Sequence, residues 1–175
     1  MKIGIDARLI HETGVGRYIR NLIRELIRID KKNTYVVFVR KASDFEPPNK
    51  SWERRIADVP WHSLAEQLYM PLIFFREHID LLHVPYFNVP LLYVGKFIVT
   101  IHDLTILHFD TGKATMLPYF LYKIRRMGYY FELLKSIFWS EKIIAVSQTT
   151  KKEILDHFDV SPEHIEVTYE GVDIL

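Results

Sequence analysis

The 175-residue chain contains no cysteine. That excludes a disulfide framework, thiol catalysis and zinc–thiolate sites, and it fits a reducing compartment. Net charge is nearly absent as well. Twenty-three Lys and Arg against 22 Asp and Glu leave a formal +1, so no global field recruits nucleic acid. Long hydrophobic runs are missing. The longest uncharged run, Leu81 to Gly95, is interrupted by His83, Pro85, Asn88 and Pro90, and nothing approaches the roughly 18 apolar residues of a spanning helix. Asp6 and Arg8 interrupt any signal-peptide core in "MKIGIDARL". There is no internal repeat and no low-complexity segment. What is present is ordinary for one globular domain: 49% hydrophobic and 26% charged residues.

The apolar pattern alternates between two periods. Ile3 to Ala7 reads as a short buried strand. From Val15, apolar residues fall at 15, 18, 19, 22, 23, 26 and 27, the spacing of an amphipathic helix that ends near Ile29. "TYVVFVR" (34–40) is a second strand and "RRIADVP" (54–60) a weaker third. Ser63 and Glu66 form a capping box for a helix running to about Arg76, with a kink expected at Pro71. Further strands are expected at 79–85, 96–103, 142–147 and 164–171. A helical stretch at 114–139, broken near Pro118 and Gly128, and a helix at 148–158 capped by Ser147 complete the pattern. Strands alternating with helices, with short continuous apolar strands, predict an α/β Rossmann-like domain. Its parallel sheet is covered by helices on both faces.

In such a sheet, ligands sit beyond the carboxyl ends of the strands. That rule selects the loops at Ala7–Gly16, Pro85–Pro90, Ile101–Asp103 and Ser147–Thr149. In "ETGVGRYIRNL", Gly14, Val15 and Gly16 precede the helix and Arg17 opens it. Glycines allow close approach of a ligand, and the helix start offers unpaired N–H groups to a phosphate. A plain tight turn explains them equally well. The spacing is a poor dinucleotide fingerprint, because Ile19 stands where a third glycine belongs. His102 and Asp103 lie where a buried strand emerges, placed for hydrogen bonding or proton transfer, although lone histidines are commonly structural. Read with His108 and Asp110 they match no standard metal spacing, so no metal or other cofactor is expected. Tyr86 and Phe87 either stack on a sugar ring or cap the core. Ser147 is a helix cap, since no nucleophile elbow surrounds it. The 114–139 helix interleaves aromatics with Lys123, Arg125 and Arg126. Such a helix can lie on a membrane surface or pack against a partner.

Taken in order, "IGIDARLIHETGVGRYIRNLIREL", "LLHVPYFNVPL", "VTIHDLTILHF", "IIAVSQTTKKEIL" and "VTYEGVD" resemble the N-terminal half of glycosyltransferase family 4. The mannosyltransferase-like branch is the nearest match. The resemblance covers nearly the whole chain. It implies the GT-B architecture, two Rossmann-like domains facing a cleft. It also implies retaining transfer of a hexose from a nucleotide-diphosphate sugar to a glycan or lipid-linked acceptor, without a bound metal. On that resemblance, His102 is the catalytic-cleft residue and Gly14–Arg17 the loop near the diphosphate and acceptor. Asp103, Tyr86 and Phe87 line the acceptor side. Residues 1–170 would form the N-terminal domain, and 171–175 would begin a linker to a C-terminal donor-binding domain supplied in cis or in trans. Alone, the chain is expected to be folded but nearly inactive. The implied location is cytoplasmic, with peripheral contact at the inner membrane face. Two rivals stand beside this reading: a non-catalytic half-enzyme or glycan-binding module, and another nucleotide-binding enzyme of Rossmann or flavodoxin type.

Overall fold

A computed structural model describes residues 1–108 and 119–171, apart from the side chains of 106 and 119–122. Seven strands form one sheet: β1 (Lys2–Asp6), β2 (Thr34–Val39), β3 (Trp52–Ile56), β4 (Leu81–Val84), β5 (Phe97–Ile101), β6 (Lys142–Ala145) and β7 (Ile165–Val167). All pairings are parallel, in the order β3-β2-β1-β4-β5-β6-β7. The helices are α1 (Gly14–Ile29), α2 (Leu64–Arg76), α3 (Thr105–His108), α4 (Tyr119–Trp139) and α5 (Gln148–His157). The doubly wound Rossmann-like class is therefore the observed one.

Strand order reverses between β1 and β4. The chain first builds leftward from β1 to β3, then rightward from β4 to β7. Right-handed crossovers put α1 on one face and α2, α4 and α5 on the other. The strands serve both faces by alternation. In β2, Tyr35, Val37 and Val39 pack with Ile19 and Ile23 of α1. Val36 and Phe38 pack with Met70 and Phe74 of α2. This explains the continuous apolar run in that strand. The face of α1 is more thinly covered: Ile98 of β5 and Ile144 of β6 are only half buried.

Several boundaries differ from expectation. The third strand begins earlier, at Trp52, because Trp52 stacks on Tyr35 with ring centroids 4.1 Å apart. Ala57 and Val59 are buried outside the ladder. α2 runs through Pro71 to Arg76, and α4 runs unbroken through Gly128. The expected break at Pro118, the helix residues 114–118, Asp110 and the linker residues 172–175 lie outside the described residues. Ser147 is a helix cap, as read: its hydroxyl accepts from the Thr150 amide at 3.0 Å.

Candidate functional site

The switch point between β1 and β4 is where an open parallel sheet presents its crevice. A pocket of about 290 Å³ lies there. Gly14 and Val15 of α1, Tyr86 after β4, and His102 and Asp103 after β5 line it together with Trp61 and Glu170. Three of the loops selected from the sequence thus meet. Thr13 precedes α1 and makes no side-chain cap bond, so no hydroxyl or carboxylate of its own caps the first-turn amides.

The other predicted residues are not gathered there. Gly16 is buried, and a Cβ on it would lie 2.6 Å from the Ile10 carbonyl oxygen. Its smallness lets α1 pack on the preceding loop, not a ligand on the glycine. A Cβ on Gly14 would meet nothing within 4 Å. Arg17 lines a neighbouring groove between α1 and residues 168–171, with Arg24. Phe87 is 6% exposed and belongs to the core, so it does not face a sugar. The Phe87 ring lies beneath that of Tyr86, with centroids 4.3 Å apart, and only Tyr86 reaches the pocket. Burial, then Asp103, push the Tyr86 phenol up to about 12.

His102 is held from three sides. Its Nε2 lies 3.1 Å from the Pro85 carbonyl, which can only accept, so Nε2 carries a hydrogen. Its own carbonyl accepts from the Thr150 hydroxyl at 3.2 Å. The Tyr18 ring stands edge-on to it at 5.0 Å. Nδ1 faces Glu170 Oε1 at 2.8 Å, a carboxylate oxygen that accepts from it, so a ligand reaches this nitrogen only where Glu170 gives way. Any hydroxyl that bonds Nδ1 must displace or join Glu170. Asp103 accepts from the Thr105 amide at 2.9 Å, a turn bond that opens α3.

Two polar constellations flank this pocket, and neither was visible as a unit in the sequence. On one side Thr100 Oγ1 bonds both Tyr18 Oη (3.0 Å) and His83 Nε2 (2.9 Å). Burial, with His102 nearby, lowers the His83 pKa to about 4 and keeps the ring neutral. Burial also raises the Tyr18 phenol, in spite of its bond to Thr100. On the other side Arg8 is fully buried. Its Nη2 reaches Asp6 and Glu66 carboxylates, each at 2.6 Å, and its Nη1 donates to the Val59 carbonyl. Burial works against the guanidinium charge, but Asp6 and Glu66 more than offset it and hold Arg8 above its ordinary range. Burial raises Glu66 despite Arg8. Ser63 does cap α2, accepting from the Glu66 amide. The Glu66 side chain, read as the other half of a capping box, instead takes Arg8, Asn88 and the His62 amide. Asp6 and Arg8 at the end of β1 were the available signal for this cluster.

His102 and His108, weighed as common ligands, engage separate carboxylates: Glu170 and Glu153. Among the described residues, His62, Glu66 and Glu132 bring three ligand atoms within 4.8 Å of one another. Their carboxylates already accept from Arg8, Asn88, Gln67 and His62, which suits an internal hydrogen-bond network.

The family model described as Glycosyltransferase Family 4 matches residues 13–174. A solved structure titled lipopolysaccharide outer core galactosyltransferase WaaB apo form is similar over 100% of this chain and 47% of its own, with a TM-score of 0.56 and 15% identity. At that identity the likeness shows the fold, and the chain spans about half that protein's length. No curated protein matches the chain.

Proposed function

The chain belongs to glycosyltransferase family 4, and on that premise we propose that it forms the acceptor-side wall of a retaining sugar-transfer cleft. A nucleotide-diphosphate sugar is the donor, a hexose the transferred group, and a glycan or lipid-linked molecule the acceptor. Mannose comes first among hexoses on the motifs. A second domain, in cis or in trans, supplies most of the donor site. The chain's span of about half the length of the similar solved structure supports that division.

One observation carries the acceptor assignment. The switch-point pocket is rimmed by Glu12, Asp103 and Glu170 around His102, with Trp61 and Tyr86 beside them. Carboxylates and an imidazole suit sugar hydroxyls, which donate to them. They repel phosphate. Arg17 and Arg24 lie in the adjoining groove, where Glu25 and Glu170 accompany them. There Arg17 suits the charge that develops on a departing diphosphate, while the first residues of α1 line the carboxylate-rimmed pocket itself. The reading therefore calls for no metal. His102 positions a hydroxyl through Nδ1 once Glu170 moves aside, and its backbone bonds keep the ring oriented.

Imidazole ¹⁵N NMR of the 175-residue chain tests this. Acceptor glycans should shift the His102 resonances, and His102→Asn should abolish the response without unfolding the domain. Nucleotide-sugars alone should bind weakly. Tight, saturable nucleotide-sugar binding with no acceptor response would overturn the acceptor assignment. Transfer at ordinary rates by this chain alone would remove the need for a second domain. Trp61 and Tyr86 also favour a second reading, a glycan-binding half without catalysis. It expects the same glycan shifts but no transfer when a donor domain is added.

A further inference from the structure

Between β3 and α2 the chain runs through Val59, Pro60, Trp61 and His62, and buried groups pin it on either side of Trp61. On one side the Val59 carbonyl accepts from Arg8 Nη1 at 3.2 Å. On the other the His62 amide donates to the Glu66 carboxylate, and the His62 ring donates from Nδ1 to Glu132 Oε2 of α4 at 3.1 Å. Val59 and the His62 side chain are buried. Trp61, between them, is 38% exposed and lines the switch-point pocket. An indole left there forgoes much of the burial that a large aromatic brings to a core.

The backbone at His62 is the second observation. Its φ is 54°, in the left-handed region that side chains other than glycine rarely adopt. Among the described residues His78 shares this conformation, at φ 47°. His78 follows the end of α2, where a left-handed residue is an ordinary helix stop. His62 precedes α2, where no helix stop calls for it. Such a backbone persists where its surroundings over-determine it, and it marks places where geometry matters. Here the bonds to Glu66 and Glu132 hold it, and Gln67 in turn holds Glu132 at 2.6 Å. The His62 ring is the common neighbour of both pocket aromatics. Its centroid lies 4.8 Å from that of Trp61 and 6.3 Å from that of Tyr86, and it backs onto Tyr129 of α4 at 4.2 Å. An aromatic face fixed beside carboxylates suits a hexose. The C–H face of the sugar packs on the indole while its hydroxyls donate to the carboxylates.

We propose that His62 is a positioning residue that holds Trp61 as the aromatic platform for the acceptor's sugar ring. The platform role rests on the acceptor reading above; the hold of His62 on the indole does not. ¹⁹F NMR of the 175-residue chain labelled with fluorotryptophan separates the two. Its three tryptophan lines belong to Trp52, Trp61 and Trp139, and Trp61→Phe identifies the middle residue's line by its loss. In the unliganded chain, His62→Gly keeps the left-handed turn and deletes the ring. It should shift or broaden the Trp61 line and leave the Trp52 and Trp139 lines in place. His62→Asn tolerates the same backbone and keeps a donor for Glu132, so it should restore the line. Circular dichroism melting checks that each variant stays folded. Methyl α-mannoside and methyl β-galactoside then serve as sugar probes. A bound glycoside should move the Trp61 line and the His102 imidazole resonances together. Trp61→Leu should weaken that binding about tenfold. His62→Gly should weaken it in part, and His62→Asn should bind as the wild type does. An unmoved Trp61 line in His62→Gly overturns the positioning role whatever the glycosides do. A glycoside that moves His102 but not Trp61, or that binds Trp61→Leu equally well, overturns the platform and leaves the acceptor reading standing. If neither residue responds to either glycoside, the platform and the acceptor reading fall together.

Discussion

The two polar constellations beside the switch point are built from different chemistry. The Arg8 side is charged and sealed: Asp6 and Glu66 share one guanidinium, and Glu132 lies close by against His62. The Thr100 side is neutral, and it leads through Tyr18 to a histidine that faces a pocket. The charged cluster ties the end of β1 to the start of α2, a separation of 58 residues. It locks the frame. The neutral chain supports His102, a side chain placed to meet a ligand. A buried ion network serves rigidity here, while a group that must exchange partners sits beside neutral hydrogen bonds.

Breaking the charged side should have the largest effect. Arg8→Met leaves Asp6 and Glu66 buried without their cation and should cost about 3–5 kcal/mol in chemical denaturation. Adding Glu66→Leu should recover part of that loss. If Arg8→Met is neutral, the cluster is not the frame described. The neutral side should reveal itself through pH. Burial takes His83 from its ordinary 6.5 to about 4, so folding favours the uncharged ring. The stability this adds is complete above about pH 6.5 and is lost as pH falls toward 4, roughly 3 kcal/mol in all. His83→Gln should flatten that acid limb; an unchanged limb would assign it to other groups. Smallest is Tyr18→Phe, which removes one hydrogen bond to Thr100 and should cost about 0.5–1.5 kcal/mol. It should also move the His102 imidazole resonances, because the Tyr18 ring lies 5.0 Å away. Unmoved resonances would detach His102 from the neutral chain.

Much of this arrangement was legible before any fold was known. Apolar spacing located α1, and β-branched runs located most strands. The carboxyl-end rule then brought Gly14, Tyr86 and His102 to one pocket. Gly16 was harder. Its spacing from Gly14 suggested a shared role, but only the path of Leu9 and Ile10 shows what fills the space a side chain would take. Tyr86 and Phe87 are chemically alike in sequence, and the turn after β4 sends one to the pocket and the other to the core. Glu66 carried a correct local signal as part of a helix start, while a longer-range demand from Arg8 claimed its side chain. Glu170 stood within a recognised motif, yet its contact with His102 spans 68 residues.

By itself the sequence determined the periods, the helix starts and the residue types at each strand end, because those follow from neighbours a few positions apart. The tertiary structure alone decided which distant groups share a charge or a hydrogen bond. Strand order sets those distances: it places β1 beside β4, and so puts Arg8 on Glu66 and His102 at the mouth of the switch-point pocket.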